Sequence, residues 1–110
     1  MKLIAETAWH HEGDFKFMEN LITEIATKTS ADIIKMHITL DLDEYMSPKH
    51  ELYETLKSMM FNQQQWTTLL KIIRDHNKEV MLLVNDTKAI NFSILMKSEF
   101  IEVFPSLIFA

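Results

Sequence analysis

Apolar positions along the chain alternate between two spacings, and the elements follow from them. Lys2 to Ala8 is short and mostly apolar, the pattern of a strand, with Lys2 at its start and Glu6 as the charged residue inside it. Asp14 to Thr29 predicts a helix, with Phe15, Met18, Leu21, Ile22, Ile25 and Ala26 on one face and Asp14 placed to cap the first turn. Ala31 to Leu40 predicts a second strand centred on Ile33 and Ile34. A polar loop from Asp41 to Lys49 follows, and Ser47-Pro48 opens a short helix carrying Leu52, Tyr53 and Leu56. Asn62 stands three residues before Gln65, a capping-box arrangement, and Trp66, Leu69, Leu70 and Ile73 mark the buried face of a helix running to about Asn77. Val80 to Val84 is nearly all apolar, as a parallel strand covered on both faces would be. Asn85-Asp86-Thr87 turns into a further helix through Ile90, Ile94 and Leu95, and the last strand is placed on Leu107 to Ala110, after Pro105.

The resulting order, β-α-β-α-α-β-α-β, predicts an α/β domain: right-handed βαβ units forming a parallel sheet of about four strands with flanking helices. The 110 residues make one domain, able to bury a core. An apolar end on Ser106-Leu107-Ile108-Phe109-Ala110 would expose a hydrophobic edge, which favours an assembly-dependent, split or truncated barrel, completed by a second copy or by further chain, over a self-sufficient four-stranded domain.

Charge and composition narrow the function. A formal net charge of -5 leaves no basic stripe for a phosphate backbone, so a nucleic-acid partner is not expected. The absence of cysteine excludes disulfides, thiolate metal sites and a Cys nucleophile. No apolar run is long enough for a signal or membrane segment, and a soluble cytoplasmic protein is the expectation. One glycine cannot supply the glycine-rich phosphate-binding or nucleophile-elbow motifs.

The candidate chemistry lies at the strand ends. Alternation puts Lys35 and His37 on one face of the second strand, and Glu6 meets Lys35 if the first two strands are neighbours. Two readings stand side by side: a structural ion pair, or a ligand site where parallel α/β folds usually place one. His10, His11 and Glu12 leave the first strand close by, with His10 and Glu12 read as solvated loop residues. His10, His11 and His37 lack the H-x-H and H-x-x-x-H spacings of a metal site, and no metal is assigned.

Ala5-Glu6, His11-x-Gly13-Asp14 and Ala31-Asp32-Ile33-Ile34-Lys35, then Leu52-Tyr53-Glu54-x-Leu56-Lys57 and Trp66, together resemble the sialic acid (N-acetylneuraminate) synthase family. Its corresponding motifs are A-E-I-G-x-N-H-x-G-D, A-D-A-V-K-F-Q, L-Y-E-x-L-K and E-x-W. The resemblance implies a TIM barrel of which residues 1–110 form the N-terminal half, and a transferase that condenses phosphoenolpyruvate with N-acetylmannosamine. It places Glu6 and Lys35 at catalytic positions and His37 and His11 in contact with substrate, His37 standing where the family has a glutamine. A divalent metal, Mn or Mg, is implied for an intact family member, with its histidines on later strands. Departures accompany the match: Val84 stands for a threonine and Leu107 for a lysine that would hold phosphate. The function implied is therefore a divergent synthase-like domain, and the alternative is a non-catalytic half-barrel that binds a sugar or a protein.

Overall fold

The computed structural model describes residues 1–8 and 11–103. The element order is β1 (Ile4–Glu6), α1 (Phe15–Lys28), β2 (Ile33–Ile38), α2 (Leu42–Tyr45), α3 (Tyr53–Ser58), α4 (Gln63–Asp75), β3 (Glu79–Val84), α5 (Thr87–Leu95) and β4 (Phe100–Val103). All four strands are parallel and lie in the order β1-β2-β3-β4. Stepping in one direction with right-handed crossovers lays every connecting helix on the same face of the sheet. The other face is then the inner wall of a barrel arc.

Packing bears this out. Ile34, Met36, Ile38, Val80, Leu82 and Val84 point toward the helices and join Met18 and Ile22 of α1 and Trp66, Leu69 and Ile73 of α4 in one buried core. The indole N–H of Trp66 has no hydrogen-bond partner among the described residues. On the opposite side, contacts leap across strands: Lys2 pairs with Glu79 of β3 and lies 5.8 Å from the ring centre of Phe100 on β4. Neighbouring strands are about 4.8 Å apart, so a flat sheet would hold β1 and β4 roughly 14 Å from each other. The sheet is curled into a trough.

Local sequence explains the ends. Asp14 Oδ1 accepts from Phe17 N at 2.9 Å, and Asn62 and Gln65 form a complete capping box. Gly13 has φ +84°, and a Cβ there would come within 2.8 Å of Met59 Cα, so the one glycine sits where only glycine fits. Asp86 is fully buried, accepting from Ala89 N to cap α5 and from Leu40 N to fasten the end of β2, each at 2.8 Å.

Two expectations change. The polar loop after β2 contains the one-turn helix α2, and the helix expected to open at Ser47-Pro48 begins only at Tyr53. The fourth strand is Phe100–Val103; Leu107 to Ala110 lies outside the described residues. The helix expected through Ile90, Ile94 and Leu95 is α5; its buried positions are Ala89, Phe92 and Ser93, while Ile94 and Leu95 are 61% and 75% exposed.

Candidate functional site

Strand register brings the charged residues together. Glu6 pairs with Lys35, Lys35 with Met81, and Met81 with Phe100, while His37 pairs with Leu83 and Leu83 with Glu102. Partners in a parallel ladder project to the same side, so Glu6, Lys35, His37 and Glu102 all reach the inner, helix-free face.

Their geometry is a four-member chain of hydrogen bonds and ion pairs. His37 Nε2 donates to Glu6 Oε1 at 2.6 Å. Lys35 Nζ lies 2.7 Å from Glu102 Oε2 and 3.9 Å from Glu6 Oε1. The Lys35 side chain is 14% exposed and that of His37 18%, whereas Glu6 and Glu102 are 47% and 51% exposed. The His37 hydrogen bond, followed by the Lys35 charge, holds the Glu6 carboxyl below its usual range against the opposing effect of burial. Glu6 is therefore an anion near neutral pH.

Glu6 and Lys35 do meet, but neither is the other's nearest partner. Glu6 is also not in a closed interior: half its side chain is open to water. His11 is not brought to this group. Its ring lies 4.4 Å from Phe61, on the helical side of the sheet, and its Nδ1 accepts from Gly13 N at 2.9 Å. It is 2% exposed, and burial pushes its pKa down. Glu12 lies on the exposed loop, with φ +50°, and His10 is outside the described residues. Val84, set against a family threonine, faces the helical core; the comparison at Leu107 falls outside the described residues.

Glu102 is the residue that sequence reasoning missed. The signal available was the extended, mostly apolar run Phe100-Ile101-Glu102-Val103 before Pro105, with one inward carboxylate. Among the described residues no three His, Asp or Glu side chains converge as a cation site. The ammonium of Lys35 lies beside the carboxylates of Glu6 and Glu102, which does not suit a divalent ion there. A separate cleft of about 570 Å³ lies outside the wall, bordered by Asp43, Tyr53 and Lys57. It is open to solvent, and its Asp43 carboxylate is already engaged by the Tyr53 hydroxyl.

No family model and no curated relative matches the sequence. Solved structures do. The chain superposes on the N-acetylneuraminic acid (sialic acid) synthetase of Leptospira borgpetersenii serovar Hardjo-bovis, in complex with citrate, with a TM-score of 0.81 at 21% identity, covering 92% of this chain and 35% of that one. The fold is that of part of the parallel α/β barrel in that structure. Two spore coat polysaccharide biosynthesis proteins are similar too: SpsE of Bacillus subtilis, with a TM-score of 0.69 at 19% identity over 93% of this chain and 28% of that one, and protein E of Chromobacterium violaceum, with 0.74 at 15% over 93% and 33%. The chain thus spans about a third of the length of these structures. Among the described residues no helix is long and apolar enough to cross a membrane.

Proposed function

We propose that residues 1–110 are the N-terminal part of a sialic acid synthase-like barrel and that the trough binds a small sugar, N-acetylmannosamine being the family's acceptor. The observation that carries this reading is the convergence of Glu6, Lys35, His37 and Glu102 on the one sheet face that the described helices leave open. Glu6, held anionic by His37, accepts hydrogen bonds from ligand hydroxyls or takes up a proton. Lys35 supplies an inward ammonium beside it, and His37 orients Glu6. His11 acts from the helical side, holding the loop that leads from β1 to α1.

Condensation with phosphoenolpyruvate is not a reaction of these residues alone. Lys35 is already neutralised by a carboxylate, and the described residues offer no ligand set for the Mn or Mg of an intact family member. A non-catalytic half-barrel module is the second reading, favoured by the outer edges of β1 and β4, which pair with no further strand among the described residues. A second copy of the chain, or further chain, would close the trough. The test is an NMR titration of the purified chain with N-acetylmannosamine, beside a phosphate-release assay containing phosphoenolpyruvate and Mn. Amide shifts confined to β1, β2 and β4 with no phosphate release are expected. Shifts elsewhere, or none, would refute the trough as the sugar site, and sugar-dependent phosphate release would refute the non-catalytic assignment.

A further inference from the structure

What a ligand meets in the trough is set by which atoms are open to it. The two carboxylates are half-exposed, while the cationic Lys35 lies largely covered beneath them, 2.7 Å from Glu102. A carboxylate only accepts hydrogen bonds, so an incoming group must donate. An anion would have to displace Glu102 from Lys35 and would face Glu6 as well. The rest of the inner face offers no free cation among the described residues: Lys2 is held by Glu79.

We propose that Glu102 determines the ligand class of this site: standing on Lys35 as a built-in carboxylate, it excludes anionic ligands and leaves a face for neutral, hydroxyl-rich ones. The inference rests on the trough being the ligand site. It adds that the trough as it stands refuses small organic acids and phosphate esters, and that a single side chain is the cause. Glu102 lies on an edge strand and is half in water, so its replacement by an isosteric amide disturbs little packing.

The test is a gain of binding, which loss of fold cannot imitate. The chain and its Glu102→Gln variant are titrated with citrate and, separately, with N-acetylmannosamine, reading backbone amide shifts at β1, β2 and β4. The variant should bind citrate at least about tenfold more tightly than the unaltered chain, the scale of one charge-assisted hydrogen bond. The further change Lys35→Met should abolish that gain. Equal citrate binding by both chains, or no gain in the variant, overturns the proposal. If the variant gains citrate binding but the sugar shifts neither chain, the role of Glu102 stands and the sugar-binding reading of the trough falls.

Discussion

Removing the partners of Lys35 should destabilise the chain more than removing Lys35 itself. The asymmetry comes from exposure. Lys35→Met keeps the apolar stem and deletes an ammonium that is 14% exposed, leaving two carboxylates that water already solvates by half. That change should cost less than about 1 kcal/mol. Glu6→Gln with Glu102→Gln leaves the covered ammonium with no counter-charge. A fully buried charge stripped of its partner costs about 3–5 kcal/mol, and some water with two amide oxygens still reaches this one, which brings the expectation to about 2 kcal/mol. Glu102→Gln alone, losing the 2.7 Å contact, should account for more than half of it. Glu6→Gln, losing one at 3.9 Å, should account for less. Urea denaturation followed by circular dichroism at pH 7 in low salt measures all four chains. The reasoning is refuted if Lys35→Met costs as much as the double amide change, or if Glu6→Gln alone exceeds Glu102→Gln.

Gly13→Ala forces a Cβ against Met59 Cα at a left-handed backbone position and should cost about 1–3 kcal/mol, read as a lowered thermal midpoint; an unchanged midpoint counts against that packing. His11 has a pKa held below its ordinary 6.5 by burial, so below that value the unfolded chain takes up the proton more readily than the folded one. Stability should be level in this respect above about pH 6.5 and fall as the pH drops toward the folded value; His11→Asn should flatten that slope, and an identical slope in the variant would exclude His11 as its source.

The elements that were legible in the sequence are those with a single dominant period. Asp14, Asn62 with Gln65, and the stripe from Trp66 to Ile73 specify α1 and α4 locally, and caps and cores agree there. The pairing of Glu6 with Lys35 was also legible, because two short strands with one inward charge each have one register that avoids stranding both. The last strand was not. The run Leu107 to Ala110 is more uniformly apolar than Phe100-Ile101-Glu102-Val103, so hydropathy alone draws the reading past the strand that β4 forms. That displacement hid Glu102, and with it the nearest partner of Lys35. Helix α2 was hidden for the opposite reason: a single turn with only Leu42 buried leaves no periodicity to read.

The placement of Glu6 and Glu102 couples the chemistry to the weakest part of the fold. β1 has three residues and β4 four, each paired on one side only among the described residues, and no residue of either is buried. Such edges open at far lower free energy than β2 and β3, whose backbones pair on both sides. Lys35 and His37, on β2, reach outward to one carboxylate on each edge, so the same contacts that define the site also hold the trough in its curve. A ligand that takes hydrogen bonds from Glu6 or Glu102 competes with those tethers. For the ligand proposed above, binding would be linked to the order of the edge strands, and a strand added to β1 or β4 would raise the affinity of the trough without touching the ligand.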